Sequence, residues 1–504
     1  MNTRAVTEHL RVAFVVLLVS LVPLRPAVAQ SRDALPDIGY SAGTVISASD
    51  EQKIGRMIMR QLRSSGDLVT DPELAEYLQA LGTQLSLHAH EGNLSFTFFG
   101  IDNPELNAFA LPGGFIGVHT GLMLATENES ELAAVLGHEV AHVSQRHLAR
   151  SAEAAGQNGV LATAAMVAAI LVGAAAGVDG NAISAAVAVA QGSAAQSRIN
   201  FTRSNEYEAD RVGIRFLADA GFDPLAMPSF FETMSRRSGA AGSLVPEFFR
   251  THPVTSNRIA ESRERALQIG GRRVVSSPQY FLMKARAQVL AYESAVAAVR
   301  RFEALIEGHP DEAPVPTQYG YAFALLRAGT PELAKPIADR LLAGDDQRVS
   351  FHILAAQANL ASGNGQRGMS LFEQAHRLFP RNTPLTMAYA NALMEVGDAA
   401  LAHEILLDLV NAKRYDEDQI RLLALAAATE GDDANAHYYR SEFHVLRGEL
   451  FMAVDQLRLA LASPRIHDYQ IARAEARLEQ IQKYLPKKRR PRPTEQARGQ
   501  QRPR

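Results

Sequence analysis

Residues 138–142 read His138-Glu139-Val140-Ala141-His142, and this H-E-x-x-H stretch decides how the chain is interpreted. It lies in a segment that favours a helix, because Asn128 and Glu131 form a capping-box variant and apolar residues then recur at helical spacing. Residues i and i+4 share one face of a helix, so two imidazoles at that spacing can bind one zinc ion. Glu139 would then lie beside the water that the metal activates, as in a zinc peptidase. The competing interpretation is a surface helix that carries two histidines by chance.

A catalytic zinc site needs a third protein ligand, and the best candidate follows in residues 205–210, N-E-Y-E-A-D. Glu206 and Asp210 are four residues apart, so a helix would place both on one face. Glu206 could bind zinc while Asp210 accepts a hydrogen bond from a ligating histidine. Spacing alone leaves Glu208 as a rival ligand, and a charged, solvated helix start is the plain alternative.

H-E-V-A-H followed by E-Y-E-A-D resembles the gluzincin peptidase family that includes the membrane prenyl-CAAX proteases and a heat-shock protease. The resemblance implies that Glu206 is the third zinc ligand and that Asp210 supports a ligating histidine. Three further stretches fit the soluble branch of the family, namely residues 107–114 (N-A-F-A-L-P-G-G), 121–123 (G-L-M) and 251–253 (T-H-P) with Arg258 behind them.

The predicted mechanism uses one zinc ion per chain on His138, His142 and Glu206, with Glu139 as the general base. His252 or Arg258 could donate to the developing oxyanion from the downstream loop, which the resemblance implies lies over the cleft. Alternatively, His252 occupies the open zinc position and keeps the enzyme latent, or it is a structural residue in a His-Pro turn. His147 is predicted to point away from the ligand face, as a helix-surface residue. No spacing partner exists for His88, His90 or His119, which are predicted to be structural.

The length and composition of the chain limit its domain organisation and its possible functions. The chain has 504 residues, with 51 basic and 54 acidic side chains and no cysteine. It is therefore long enough for two or more domains, offers no charge argument for nucleic-acid binding, and cannot form disulfides. Residues 1–29 predict a signal peptide, with a short apolar run from Val12 to Leu24 and an A-x-A site at 27–29. A periplasmic location follows, with an uncleaved anchor as the alternative.

Residues 30–275 are predicted to form the peptidase domain. Residues 50–89 favour helices, the second starting at Asp71-Pro72, and residues 94–101 and 115–119 favour strands. An edge strand of such a small sheet could bind an extended substrate by strand addition. The uncharged residues 154–178 and the alanine-rich residues 182–195 predict a lid of packed or mobile helices, with membrane contact as the alternative.

Residues 276–485 are predicted to form a second domain of helical repeats. Glycines recur every 34 residues, which is the period of the tetratricopeptide repeat, at Gly329, Gly363, Gly397 and Gly431. Such a stack has a concave face that holds a peptide or a partner protein, whereas a generic helical bundle would show this spacing only by accident. Residues 486–504 are basic and predicted to be disordered, with peripheral membrane contact as one possible role.

The expected fold class is mainly α, with an α+β zincin-like catalytic domain followed by an α-solenoid. The resemblance implies a periplasmic zinc endopeptidase that clears misfolded or stalled envelope proteins. Its repeats would dock substrates or the outer-membrane β-barrel assembly machinery. The alternative is a chaperone or scaffold for outer-membrane protein assembly with little proteolysis. A membrane-embedded prenyl protease is disfavoured because the sequence lacks the several long apolar spans it would need.

Overall fold

The structure is a computed structural model that describes residues 47–89, 94–154, 203–240, 248, 251–270, 273–306, 309, 311–412 and 415–485. The predicted signal peptide, most of the predicted lid, the basic tail and His90 lie outside the described residues.

Two helices form the N-terminal part of the described chain. Helix α1 spans Ala48–Ser65 and helix α2 spans Pro72–Ser86. Asp71 caps α2 by accepting a hydrogen bond from the Leu74 amide at 3.0 Å, and Pro72 occupies the first turn, where its missing N–H costs nothing. The predicted start of this second helix at Asp71-Pro72 is therefore confirmed.

A three-stranded sheet follows these helices. Strand β1 covers Thr97–Ile101, β2 covers Ala108–Leu111 and β3 covers Phe115–His119. The order is β1-β3-β2, with β1 parallel and β2 antiparallel to β3. Strand β2 was not predicted, because it is four residues long and continues into the Pro112-Gly113-Gly114 turn. Both glycines of that turn have a positive φ, of 79° and 87°, which a residue with a Cβ rarely adopts.

The remaining peptidase helices enclose one central helix. Helix α3 spans Thr120–Ala125, α4 Glu129–Ser144, α5 His147–Ala154, α6 Arg203–Asp219, α7 Ala226–Ala240 and α8 Ser256–Ile269. Helix α4 carries the H-E-x-x-H stretch and is buried along nearly its whole length, because α2, α6, α7 and β2 pack around it. An element buried on all sides holds its side chains in fixed rotamers, which suits a metal site.

Six helical pairs complete the described chain. They are α9 Pro278–Leu290 with α10 Ala295–Ile306, α11 Val315–Arg327 with α12 Pro331–Gly344, α13 Val349–Ala361 with α14 Gly365–Leu378, α15 Thr383–Glu395 with α16 Ala399–Ala412, α17 Glu417–Glu430 with α18 Asp433–Arg447, and α19 Leu450–Leu461 with α20 Asp468–Gln482. The four glycines at 34-residue spacing follow the first helix of four pairs with φ between 74° and 90°. The left-handed conformation at these helix ends explains the period. The predicted fold class is confirmed.

The inner face of the stack is partly covered by the peptidase part. We define this face by the positions equivalent to Tyr319 and Phe323 in each 34-residue copy. Helix α2 packs against α9 and α15, and its first turn contacts Tyr319. Three inner-face residues equivalent to one another, Tyr319, Ile353 and Met387, are buried, whereas the next two, Arg421 and Asp455, are exposed.

No helix among the described residues is both long enough and apolar enough to span a bilayer.

Candidate metal centre

Two helices bring the predicted metal ligands together. His138 and His142 lie one turn apart on α4, and Glu206 lies in the first turn of α6. The helices approach closely because Gly137 and Gly213 face each other. A Cβ on Gly213 would lie 3.1 Å from the carbonyl of Gly137 and from the Cα of His138. Glycine at both positions therefore sets the distance between the two ligand-bearing helices.

The ligand atoms converge on one point. His138 Nε2 and His142 Nε2 are 3.0 Å apart, and each lies 3.5 Å from an oxygen of Glu206. These residues and His252 offer four ligand atoms that all lie within 4.8 Å of one another, and all four side chains are buried. Imidazole nitrogens and a carboxylate are the donors that zinc and similar divalent metals prefer. The residues present therefore fit a divalent metal ion.

Asp210 and Arg258 support the ligands from outside. Asp210 Oδ1 lies 3.0 Å from His138 Nδ1, and its carboxylate accepts two hydrogen bonds from Arg258, at 2.7 and 2.8 Å. Arg258 Nη1 also lies 2.9 Å from Glu206 and donates to the Pro253 carbonyl at 2.8 Å. All three guanidinium nitrogens thus have acceptors within the protein. This geometry favours a role in holding the carboxylates over the predicted role as an oxyanion donor.

His147 is the functional residue that sequence reasoning missed. It was predicted to be a helix-surface residue, but it is completely buried and its Nδ1 lies 2.8 Å from His142 Nδ1. The prediction was wrong because the helix does not continue through this point. Arg146 has a φ of 51°, which ends α4 and starts α5 at His147. No spacing signal could reveal this, because the helical period stops at Arg146.

Glu208, the rival ligand, lies outside the group of converging donors. Its carboxylate is 3.2 Å from His147 Nε2 and 2.9 Å from Arg150 Nη1. The hydrogen bond from His147, opposed by burial and assisted by Arg150, lowers the pKa of Glu208 to about 2. Glu208 therefore orients His147, which in turn contacts His142.

Glu139 lies beside the converging donors with its carboxylate buried. Neither oxygen has a hydrogen-bond partner among the described residues, and the nearest base is His252 Nε2 at 3.6 Å. Burial raises the pKa of Glu139. A buried carboxylate with a raised pKa and no fixed partner is suited to accept and return a proton.

His252 reaches the same point from the loop before α8. Its Nδ1 lies 3.1 Å from Glu206 Oε1 and 3.4 Å from His138 Nε2. The loop is anchored nearby, since the His252 amide donates to the Phe248 carbonyl and the Phe248 amide donates to the Leu106 carbonyl. His252 is thus placed where a fourth metal ligand would lie.

The candidate metal ligands differ in the direction of their pKa shifts. Burial alone would lower the pKa of His138, but Asp210 and Glu206 outweigh it and raise this pKa to about 9. Burial and the neighbouring His138 lower the pKa of His142 well below its usual value. Burial opposes ionisation of Glu206, yet the surrounding histidines hold its pKa well below the usual range. A metal would meet an ionised Glu206 and a neutral His142, and it would displace a proton from His138.

The fold and the site together define a metalloendopeptidase joined to a helical repeat array. Residues 71–266 match the profile of "Peptidase family M48", and residues 359–428 match that of "Tetratricopeptide repeat".

Full-length relatives agree with this assignment. The chain is 34% identical to the β-barrel assembly-enhancing protease of Escherichia coli O157:H7, over 93% of this chain and 96% of the relative. It is also 34% identical to a putative protein of that name from Vibrio cholerae, over 91% and 94%. The mitochondrial metalloendopeptidase OMA1 of Arabidopsis thaliana is 31% identical over 44% of each chain. The chain belongs to peptidase family M48.

Proposed function

We propose that this protein is a periplasmic zinc endopeptidase that hydrolyses peptide bonds of misfolded or misassembled envelope and outer-membrane proteins. The observation that carries the proposal is the buried group of His138, His142 and Glu206 with Glu139 beside it. The printed name of the full-length relatives, β-barrel assembly-enhancing protease, supports the substrate class. We place the peptidase in residues 30–275 and the repeats in residues 276–485, after a cleavable signal peptide.

The residues of the site have different proposed roles. His138, His142 and Glu206 would hold the zinc ion, which supplies a Lewis acid that acidifies water and polarises a carbonyl. Glu139 takes the proton of the attacking water and delivers it to the leaving amine. Asp210 and Arg258 keep His138 and Glu206 in place, and His147 does the same for His142.

Strand β2 is the proposed binding edge for substrate. It pairs with β3 on one side, and no other described strand pairs with its second edge. It also packs against α4, the helix that carries Glu139. An extended chain added to this edge would be selected by its backbone, so unfolded segments would be preferred over folded ones.

A chaperone or scaffold with little proteolysis is the second candidate, and the position of His252 favours it. A histidine at the fourth ligand position closes the site to substrate. We propose that this closed arrangement is a latent resting state. In a peptidase, substrate or a partner displaces His252, whereas in a scaffold the closed arrangement persists.

The repeats provide the proposed docking surface in their last two copies. The inner face of the earlier copies is partly covered by the peptidase part, but Leu425 and Leu459, which are 34 residues apart, are each 48% exposed. Met452, which lies on the same helix as Leu459, is 50% exposed. We propose that this apolar patch receives an unfolded outer-membrane protein or a component of the β-barrel assembly machinery.

The deciding experiment is degradation of casein by the mature chain, with and without a chelator. We expect cleavage that the chelator abolishes, and a loss of at least about 100-fold in Glu139→Gln with the metal content unchanged. Glu264→Gln on α8 is the matched control, because it removes an exposed carboxylate that bonds only Gln268 of its own helix and lies outside the site. Cleavage that persists in Glu139→Gln would refute the proposed mechanism.

Absence of cleavage in the parent protein calls for His252→Ala. Casein cleavage that appears only in this variant would establish the latent state. Continued absence of cleavage, together with suppression of outer-membrane protein aggregation by the Glu139→Gln variant, would establish the scaffold.

A further inference from the structure

Two helix N-termini meet at Glu129. This residue opens α4, the helix of the metal ligands, and Ser277 caps α9, the first repeat helix. The Ser277 amide donates to Glu129 Oε2 at 2.6 Å, and the Ser277 hydroxyl donates to Oε1 at 2.7 Å. In return, the Glu129 amide donates to Ser276 Oγ at 2.9 Å. The end of each helix therefore supplies a hydrogen-bond acceptor for a backbone amide at the N-terminus of the other.

The carboxylate of Glu129 also reaches a third helix. Tyr77 of α2 donates its hydroxyl to Glu129 Oε1 at 3.0 Å, and both side chains are buried. The N-terminus of a helix carries a partial positive charge, so an anion between two N-termini is stabilised from both sides. One carboxylate thus joins α2, α4 and α9.

The residues just before α4 are held by the same repeat helix. The Tyr280 hydroxyl donates to the Thr126 carbonyl at 2.9 Å, and Lys284 Nζ contacts the same carbonyl. Tyr280 and Thr126 are completely buried. The entry to the active-site helix therefore has little freedom to shift along its axis or rotate while α9 stays in place.

A second polar contact fixes α2 to the repeats. Arg286 of α9 lies 2.7 Å from Asp71 and 2.8 Å from Glu73, and it donates to the Tyr319 hydroxyl at 2.7 Å. Helix α2 packs in turn against α4. The repeat array therefore contacts the active-site helix directly, and also indirectly through α2.

We infer that Glu129 is a positioning residue through which the first repeat helix sets the position of the active-site helix. The role rests on the proposed peptidase activity, because positioning acts on the geometry of His138, Glu139 and His142. His138 lies nine residues from Glu129, about 13 Å along the helix, so Glu129 does not touch the site itself. The first repeat is, on this inference, a structural part of the peptidase.

Hydrogen exchange on the full chain tests the inference. In Glu129→Ala, amides in residues 130–142 and in residues 278–290 should exchange faster together, because α9 loses the acceptor of its Ser277 amide and α4 loses the side-chain contacts that join it to α2 and α9. Asn128→Ala is the matched control, since Asn128 caps only the Glu131 amide of its own helix, at 3.0 Å. This variant should raise exchange in the first turn of α4 and leave residues 278–290 unchanged. If the increase in hydrogen exchange in Glu129→Ala were confined to the first turn of α4, the inference would be overturned.

Kinetics on a short peptide separate positioning from plain stability. Glu129→Ala should lower kcat about ten-fold or more with little change in KM, because misplaced reacting groups cost rate rather than binding. Asn128→Ala should keep kcat, and Glu129→Gln, which retains one acceptor oxygen, should fall between the two. Equal kcat values in Glu129→Ala and Asn128→Ala at matched folded fractions would contradict the inference.

Two further measurements cover the case in which Glu129→Ala does not fold and separate the positioning role from catalysis. If Glu129→Ala does not fold, the double variant Ser276→Ala/Ser277→Ala removes partners of Glu129 from the opposite side and must give the paired change in exchange. The exchange measurement is repeated in the Glu139→Gln background, where catalysis plays no part. A missing paired change there refutes the positioning role alone, whereas absence of cleavage in both the parent protein and His252→Ala refutes the proposed peptidase alone.

Discussion

Arg258 compensates two buried carboxylates at once. It is 2% exposed and lies against both Asp210 and Glu206, while its guanidinium packs 5.1 Å from the ring centre of Phe231. A buried carboxylate without a counter-ion is strongly destabilised or takes up a proton. Arg258 therefore helps His138 to keep Asp210 ionised, and it lies beside the Glu206 carboxylate, whose pKa the surrounding histidines hold low.

Replacing Arg258 should weaken both folding and metal binding. We expect Arg258→Ala to lower the free energy of unfolding by about 3–5 kcal/mol, because it removes the guanidinium counter-ion of two buried carboxylates. Urea unfolding and metal content after dialysis measure the two effects. Arg263→Ala on the same helix is the control, because that side chain is about half exposed and pairs with Glu232 at the surface. Its expected effect is within about 0.5 kcal/mol. An Arg258→Ala protein with full stability and full metal content would contradict this account.

Most of the candidate site residues could be predicted from the sequence because the motifs that contain them are short and local. His138, Glu139 and His142 lie within one helical turn, so their shared face follows from the period. Glu206 and Asp210 were placed together for the same reason. The burial of His147 beside His142 was not predicted, because Arg146 has a left-handed backbone conformation that changes the direction of the chain. The choice between Glu206 and Glu208 needed the packing of α6 on α4, which spacing does not contain.

Among the elements, the pair of helices α4 and α6 determines the metal geometry. Each contributes a glycine to their close contact, and the ligands lie beyond it in sequence: His138 and His142 follow Gly137, whereas Glu206 precedes Gly213. Strand β2 was missed as an element because four residues give too short an alternation to distinguish it from a loop. Helix α2 was predicted correctly, since Asp71 and Pro72 are strong local start signals.

Adding one methyl group at the helix crossing should separate the ligands. Gly213→Ala places a Cβ 3.1 Å from backbone atoms of Gly137 and His138, and backbone cannot rotate away as a side chain can. We expect a loss of about 1–3 kcal/mol in unfolding free energy. We also expect a clear loss of metal affinity, measured by competition with a chromogenic chelator. Gly344→Ala is the control, because a Cβ there meets nothing within 4 Å. Unchanged metal affinity in Gly213→Ala would show that the crossing distance does not set the site.

For the whole molecule, the inner face of the repeat array is buried in its first copies and exposed in its last copies. Its first copies bury Tyr319, Ile353 and Met387 at the inner face, where helix α2 packs, and its last copies leave Leu425 and Leu459 exposed. The 34-residue period predicted the stack but not this division. Contacts between residues 71–86 and residues more than 200 positions later leave no local trace in the sequence.

Charges placed on the exposed part of the inner face should abolish docking without affecting the peptidase site. We expect Leu425→Asp/Leu459→Asp to bind a urea-unfolded outer-membrane β-barrel protein about ten-fold more weakly or worse, because a docked apolar segment would bury the new carboxylates. Fluorescence anisotropy with the labelled β-barrel protein measures binding, and casein cleavage should be retained. Leu333→Asp, on an exposed position of α12, is the control. Equal binding by the double variant and the control would place docking elsewhere.

The coverage of the inner face by helix α2 also limits how such a protein can be redesigned. A chimera that exchanges copies near Tyr319 or Arg286 would remove residues that the catalytic half needs for its own packing. A chimera spliced just before Glu417 would keep those residues and replace only the last two copies, and it would lose the ion pair of Glu417 with Arg63 of α1 at 3.2 Å. If the proposed docking role of the last two copies holds, a change of substrate requires exchange of those copies alone, whereas joining the catalytic half to an unrelated repeat protein should fail.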